Sequence, residues 1–321
     1  MNARPLPPFV AALLSALALA LTTSVLVGLT AAPAQAVKPK NDHPTMPRSC
    51  VDRADLIPQE PTLCELNSFD GGRPTVLLWG DSHAWQMIPG LRRAGNGKDV
   101  NLVAIVMGGC PPMDNALKAG EPAPKCYQAN DLAIDYTRDL VAAGKGHRVL
   151  LAASWQRYRQ ALKDRDRTYT GEMARASRKA TPRLMSTLAD LGASVDVVGQ
   201  VATVPAARAK CAKSNQPYAC NLPRNRALAD SVGTKRYLTK LMKPLDADAS
   251  LINVNGFFCK GKVCRGMVGK TYTWWDDLHI SASMSRKLHG FLKPTVVAAD
   301  ASRPGEPSGQ SGCSLPLPIL C

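Results

Sequence analysis

Five short apolar segments alternate with helical patterns through the middle of the chain, and this alternation limits the possible fold more than any other feature. The segments are nearly continuously apolar and rich in β-branched residues, which is typical of parallel strands buried on both faces. They lie at 75–79, 102–106, 148–151, 194–198 and 250–254. Successive strand–helix–strand units of this kind connect with a right-handed crossover. We therefore predict an α/β fold, a three-layer α/β/α sandwich around a five-stranded parallel sheet.

The first 36 residues have the features of an export signal. Arg4 precedes an apolar run over 9–29, and the Ala-Gln-Ala sequence at 34–36 fits the small-residue pattern of a cleavage site. An apolar run of about 20 residues is also long enough to anchor a protein in a membrane. The alanine-rich run, the cleavage pattern and the lack of basic residues directly after the run favour a removable signal peptide at 1–36. We expect a secreted, extracellular protein with no stable membrane insertion after signal removal.

Ten cysteines, all located after residue 36, indicate disulfide bonds in an exported chain. They form five neighbouring pairs, each of which closes a short loop. The predicted pairs are Cys50–Cys64, Cys110–Cys126, Cys211–Cys220, Cys259–Cys264 and Cys313–Cys321. A structural zinc site is the alternative, but the sequence has no CxxC motif and no histidine at ligand spacing beside these cysteines. We expect disulfides and no metal.

The composition is that of a globular protein, with 45% hydrophobic residues, 20% charged residues and a net charge of +15. A positive charge suits an anionic partner, although lysine and arginine commonly serve only to solvate a surface. No nucleic-acid-binding motif accompanies the charge, so nucleic acid is not an expected partner. The predicted organisation is a Pro-rich N-terminal segment at 37–72, a principal domain at 73–299 and a Ser/Pro/Gly-rich tail at 300–321.

The first predicted strand runs directly into Gly80-Asp81-Ser82-His83 and then into a helix-like segment. A serine at the carboxyl end of a strand lies at the crevice in which open α/β sheets bind ligands. Its hydroxyl can act as a nucleophile, and its backbone N–H can donate to an oxyanion. The same residues can also serve only as a helix cap, with Asp81 or Ser82 as the N-cap. The motif alone does not separate these two interpretations.

A second motif lies in segment 274–281, directly before the last predicted helix, for which Ser281 is a suitable N-cap. An aspartate three residues before a histidine can fold back onto the imidazole. Asp276 would then hold Nδ1 of His279 and leave Nε2 to face a serine hydroxyl. Asp277 is the rival of Asp276, and the geometry of a short fold-back favours Asp276. Taken alone, DxxH could also be a capping aspartate and a surface histidine.

Together, the two motifs resemble the SGNH hydrolase superfamily, whose first block is GDS and whose last block is DxxH. Three longer strings resemble in particular the SGNH domains attached to membrane O-acyltransferases of cell-surface glycans: LLWGDSHA at 77–84, CPP at 110–112 and DDLHIS at 276–281. The resemblance covers about residues 50–299 and implies a flavodoxin-like sandwich. It also implies that Ser82 is the nucleophile, that His279 is the general base and that Asp276 orients His279.

The resemblance further implies an oxyanion hole made by the backbone N–H of Ser82 and by a glycine after the second strand. Gly108 and Gly109 are both candidates for this glycine, although a glycine there can also serve only to make the turn. The superfamily adds an asparagine after the third strand, where this chain reads Ala-Ala-Ser-Trp at 152–155. A tryptophan there is typical of the acyltransferase-linked domains, but the third oxyanion donor stays unassigned.

The implied function is that of a secreted, serine-dependent esterase or O-acyltransferase that acts on short acyl (acetyl) esters of cell-surface carbohydrate without a cofactor. Its partners would be a carbohydrate or cell-wall polymer and, for transfer, a separate membrane protein that supplies the acyl group. Trp155 and Trp275 are candidate substrate-binding residues, since an indole can stack on a sugar ring or pack in the core. A catalytically idle glycan-binding module is the alternative from another class. An α/β-hydrolase would instead carry GxSxG, which is absent around Ser82.

Overall fold

The structure, a computed structural model, describes residues 41–51, 57–114, 123–205, 221–247 and 249–301. The predicted signal peptide and two predicted disulfides, Cys211–Cys220 and Cys313–Cys321, lie outside the described residues. Within the described ranges, no helix combines the length and the apolar character needed to cross a membrane.

A single six-stranded sheet forms the centre of the fold. Its strands are β1 (Cys64–Glu65), β2 (Thr75–Gly80), β3 (Asn101–Val106), β4 (His147–Ala152), β5 (Val195–Val198) and β7 (Leu251–Ile252), in the order β1-β3-β2-β4-β5-β7. All neighbours from β3 to β7 in this order are parallel, which confirms the predicted parallel sheet. The five predicted strands make up this parallel part, and β1, which was not predicted, adds a sixth, antiparallel strand at the edge beside β3. A two-residue strand is too short to produce a periodic signal in the sequence.

Helices cover both faces of this sheet, because successive side chains of each strand point to opposite sides. Val76 and Leu78 of β2 belong to one core, whereas Leu77 and Trp79 belong to the other. The first face carries α2 (Ile88–Ala94), α8 (Ala282–Lys287) and α9 (His289–Ala301), and the second carries α3 (Pro124–Ala142), α4 (Trp155–Lys163), α5 (Tyr169–Asp190) and α7 (Ser231–Leu241). The three-layer sandwich is thus confirmed. Two single turns, α1 (Ser82–Trp85) and α6 (Arg224–Ala227), complete the described helices.

Two small sheets precede the segment that carries the DxxH motif. One contains β6 (Leu222–Pro223), β8 (Cys259–Lys260) and β9 (Val263–Cys264), and the other contains β10 (Met267–Val268) and β11 (Thr271–Tyr272). A bridge between Trp274 and Ile280 then closes a tight loop around the motif. Ser281 caps α8 as predicted, since its Oγ accepts a hydrogen bond of 3.0 Å from the Met284 N–H. The loop is therefore fixed at both of its ends.

The structure contains two of the predicted disulfides, Cys110–Cys126 and Cys259–Cys264. The predicted Cys50–Cys64 disulfide is not formed, and both residues are buried free thiols. Their side chains are hydrogen-bonded to each other, and burial raises the pKa of the Cys64 thiol. In the structure the two thiols thus pair through a hydrogen bond and not through a covalent bond.

Removal of the Cys110–Cys126 disulfide is expected to lower the free energy of unfolding by about 3 kcal/mol, because the bond closes a loop with a sequence separation of 16. The matched control removes Cys259–Cys264, whose separation of 5 predicts a smaller loss of about 2 kcal/mol. Denaturant unfolding of the two Cys→Ala double variants measures both losses. Alkylation of Cys110 and Cys126 without prior reduction would contradict the assignment.

Candidate active site

Ser82 lies where β2 ends and α1 begins, at the carboxyl edge of the parallel sheet. Gly80, the last residue of β2, has φ +150°, and a Cβ there would lie 1.8 Å from the carbonyl oxygen of Ala152 on β4. Only glycine permits this close approach of the two strands. The turn leaves Ser82 as the first residue of α1, half-buried, with its hydroxyl directed to His279.

Asp81 is the N-cap of α1 and the centre of a buried hydrogen-bond network. Its Oδ1 accepts from the His83 N–H at 2.7 Å, and its Oδ2 accepts from the Ser154 N–H and the Tyr158 hydroxyl, both at 2.9 Å. Burial raises the pKa of Asp81, and these three donors oppose that shift. Asp81 is therefore the helix cap that the sequence allowed, and this role leaves the Ser82 hydroxyl free to point to His279.

Ser82, His279 and Asp276 form one continuous hydrogen-bonded chain. The Nε2 of His279 lies 2.7 Å from the Ser82 Oγ, and its Nδ1 lies 2.8 Å from the Asp276 Oδ2. The second carboxylate oxygen of Asp276 accepts from the N–H groups of Leu278 and His279, at 2.8 and 2.6 Å. These bonds fix the carboxylate before it meets the imidazole, so the geometry is that of a nucleophile, a base and an orienting acid.

Asp277 does not share this role. Its backbone carbonyl accepts from the Val204 N–H at 2.8 Å, and His279 Nδ1 meets Asp276 instead. The structure thus places the favoured aspartate of the two candidates beside the imidazole.

Three aromatic rings surround His279. Trp275 stacks on the imidazole with an interplanar angle of 22° and a centroid distance of 6.1 Å, and Trp85 meets it edge-on at 5.9 Å. The third ring is that of His83, whose centroid lies 5.4 Å from that of His279. The sequence analysis named Trp275 as a candidate for stacking on a sugar ring. In the structure, one face of its indole is covered by the His279 imidazole.

Trp155 does not fit the predicted role in substrate binding. It is only 3% exposed, and its indole Nε1 donates to the Val198 carbonyl at 2.9 Å. It packs in the second core with Leu151 and Tyr158. The correction has a simple physical reason: Trp155 is buried at the start of α4 with its Nε1 bonded to the backbone, so its ring offers no exposed face for a sugar.

Substitution of the two tryptophans by alanine is expected to have different consequences. Trp155→Ala removes a buried core side chain and should lower the free energy of unfolding by about 3–5 kcal/mol. Trp275→Ala removes the ring that supports His279 and should reduce ester turnover at a smaller cost in stability, because Trp275 is only half-buried. Thermal unfolding and ester hydrolysis, measured on the same preparations, distinguish the two. Equal losses of stability in the two variants would contradict the assignment of Trp155 to the core and of Trp275 to the support of His279.

His83 is the least expected member of the site. It is 2% exposed, and within the described part of the chain neither ring nitrogen has a hydrogen-bond partner. Burial lowers the pKa of His83 far below its ordinary value, and electrostatic interactions with His279 and Arg157 add to this effect. His83 is therefore a neutral imidazole beside Ser82. The sequence placed it in the motif but gave it no role.

The structure corrects one of the predicted backbone donors of the oxyanion hole. The Gly108 N–H donates to the Pro58 carbonyl at 3.0 Å and is therefore occupied. The N–H groups of Ser82 and Gly109 have no acceptor among the described residues, and Gly109 has φ +70°, in the left-handed region that favours glycine. Ser82 and Gly109 are thus the available donors, and Gly108 is not.

The hydroxyl of Ser82 opens into a cavity of about 120 Å³. Its lining residues are Asp81, Ser82, His83, Gly109, Ser154, Arg157, Tyr158, Thr170 and Leu278. Sites for drug-sized ligands occupy roughly 300–1,000 Å³, so this cavity suits only a small group. Sequence reasoning missed Arg157, Tyr158 and Thr170. Ser154 could have been found from its position after β4. Gly80 of β2 pairs with Ala152 of β4, and a serine follows two residues later on each strand, Ser82 on one and Ser154 on the other.

Comparison with known proteins identifies the family of this chain. Residues 49–294 match the family model described as the SGNH domain (fused to AT3 domains). The periplasmic domain of a lipopolysaccharide acetyltransferase from Salmonella ser. Paratyphi A has a similar fold, with a TM-score of 0.50 and 15% sequence identity over 71% of this chain and 85% of that domain. No curated protein matches the sequence. Since the family model spans most of the chain, this protein belongs to the SGNH domain family of the kind fused to AT3 domains.

Proposed function

We propose that this protein is a serine-dependent enzyme that removes or transfers short acyl groups, chiefly acetyl, on cell-surface carbohydrate. The observation that carries the proposal is the hydrogen-bonded chain from Asp276 through His279 to Ser82, at 2.8 and 2.7 Å, with the serine opening into a small cavity. The likeness to a periplasmic acetyltransferase domain and the two disulfides support a location outside the cytoplasm.

The geometry supports a two-step acyl transfer. His279 Nε2 takes the proton of Ser82 as Oγ attacks the ester carbonyl, and the N–H groups of Ser82 and Gly109 donate to the resulting oxyanion. Collapse breaks the bond to the sugar oxygen, which receives the proton from His279 and leaves an acyl-serine. Water or a second sugar hydroxyl then attacks this ester, again with His279 as base, and restores Ser82. Asp276 stabilises the imidazolium in both steps.

The second step separates the two forms of the activity. Attack by water makes the protein an esterase, and attack by a sugar hydroxyl makes it an O-acyltransferase. For transfer, a separate membrane protein would supply the acyl donor. The test incubates the purified protein with an acetyl ester and a deacetylated cell-wall glycan, and follows acetate release and glycan acetylation together. If neither acetate nor acetylated glycan is formed, the proposal is overturned and an idle glycan-binding module is favoured.

Turnover is expected to fall steeply once the acyl chain is longer than about butyryl, because a cavity of about 120 Å³ is small compared with a site for a drug-sized ligand. A series of p-nitrophenyl esters from acetyl to octanoyl measures kcat/KM for each chain length. The matched control is spontaneous hydrolysis of each ester in the presence of the Ser82→Ala variant. Efficient cleavage of the long esters would contradict the proposed acetyl preference.

A further inference from the structure

We propose that the substrate of this site is an anionic carbohydrate, with a carboxylate or phosphate group close to the acyl ester, and that Arg157 binds this group. The inference rests on the proposed function, because it names the substrate class of the same site. It begins from the one guanidinium that lines the cavity of Ser82 among the described residues.

Arg157 lies in the first turn of α4 and is exposed at the cavity that holds Ser82 and Gly109. It forms no hydrogen bond or ion pair through its side chain within the described ranges, and this distinguishes it from its neighbours. Arg159, two residues along the same helix, lies 3.5 Å from the Asp230 carboxylate and donates to the Gly233 carbonyl. A guanidinium that is left without a partner beside a nucleophile is available to a ligand.

Among the described residues, no carboxylate around the cavity forms a hydrogen bond or an ion pair with Arg157. Asp81 uses its oxygens on His83, Ser154 and Tyr158, as described above, and Asp276 is bound to His279. Asp166 accepts from the N–H and hydroxyl of Thr168, each at 2.8 Å. These bonds lower the pKa of Asp166, and the nearby charge of Arg157 adds to that shift. The positive charge of Arg157 therefore faces the site, where it contributes to the lowered pKa of His83. A planar guanidinium binds a carboxylate or phosphate through two parallel hydrogen bonds.

A second positively charged cavity, of about 590 Å³, lies on the other side of Trp275. Its lining residues include Arg92, Arg93, Arg286 and His43. The His43 ring meets Trp275 at 5.7 Å, and Trp275 stacks on His279, so a single indole separates this cavity from the triad. Asp42 is the one acid among its lining residues; it accepts hydrogen bonds from the N–H and hydroxyl of Ser283 and lies 3.9 Å from the guanidinium of Arg286, which leaves Arg92 and Arg93 without a carboxylate partner among these lining residues. A carbohydrate chain with repeated negative charges can therefore engage arginines on both sides of the ester.

Binding is tested on the inactive Ser82→Ala protein by calorimetry, with an oligogalacturonide, a glycerol phosphate oligomer and a neutral xylo-oligosaccharide as probes. The two anionic probes distinguish carboxylate from phosphate recognition. Addition of Arg157→Gln is expected to weaken binding of the preferred anionic probe about tenfold or more, since a hydrogen bond to a charged group is stronger than one between neutral groups. Arg138→Gln, the same charge change on the surface of α3, should have no effect, and binding should weaken at high salt.

Turnover on acetylated forms of the same probes separates this inference from the proposed function. Arg157→Gln in the active protein should lower kcat/KM for the anionic ester by about tenfold more than kcat/KM for the neutral ester. An equal loss on both esters, no loss on either, or no preference for an anionic probe would overturn the inference while acetyl ester turnover still stands. Binding that depends on Arg157, without turnover of any ester, would overturn the proposed function and retain the anionic ligand.

Discussion

Ser82→Ala and His279→Ala are each expected to lower ester turnover by about 10⁴-fold or more. The two side chains act as one unit, because His279 Nε2 lies 2.7 Å from the Ser82 Oγ and no other described base is hydrogen-bonded to that hydroxyl. Loss of either member of such a unit removes the covalent route, and the double variant should therefore be little worse than each single variant. Initial rates with p-nitrophenyl acetate measure all three losses.

Ser186→Ala is the matched control for Ser82→Ala, because Ser186 is an exposed serine on α5 outside the cavity. Thermal unfolding should show that the Ser82 and His279 variants keep their fold. Substantial hydrolysis by folded Ser82→Ala would show that another group carries the chemistry, and additive losses in the double variant would show that the two residues act separately.

Asp276→Asn is expected to lower turnover by roughly 10³- to 10⁴-fold, whereas Asp277→Asn should have little effect. The amide of asparagine can still accept from the Leu278 and His279 N–H groups, so the loop should keep its shape. An amide that donates to His279 Nδ1, however, favours the imidazole tautomer in which Nε2 carries the proton, and Nε2 then cannot accept the proton of Ser82. Steady-state kinetics of the two variants are compared, with unchanged unfolding as the control. Equal effects of both substitutions would contradict the assignment of Asp276.

The sheet could be predicted from the sequence because β2, β3, β4 and β5 are buried on both faces and therefore read as continuous apolar runs. The last strand is shorter than the predicted 250–254. It ends at Ile252 because the Asn253 side chain accepts from the Asn255 N–H and starts a 3₁₀ turn. That local competition by an asparagine side chain is difficult to anticipate from apolar periodicity.

In the site, too, residues marked by a local motif could be predicted, whereas residues whose role depends on packing between distant segments could not. Ser82, Asp276 and His279 were identified because each belongs to a short motif whose spacing has a chemical meaning. Gly108 was a wrong candidate because its N–H is used by Pro58, a contact between distant segments of the chain. Trp155 was a wrong candidate because burial depends on how α4 packs, and Arg157 was missed because no local pattern marks an unpaired guanidinium.

The central claim is that Ser82 forms a covalent acyl intermediate, and peptide mass spectrometry after rapid acid quenching with p-nitrophenyl acetate tests it most directly. The account predicts one acetyl group on the peptide that contains Ser82 in the wild-type protein, and none on that peptide in Ser82→Ala. His279→Ala should give no label on the same timescale, because no base then activates the hydroxyl. An acetyl group on another residue during turnover, or sustained turnover without any label on Ser82, would contradict the account.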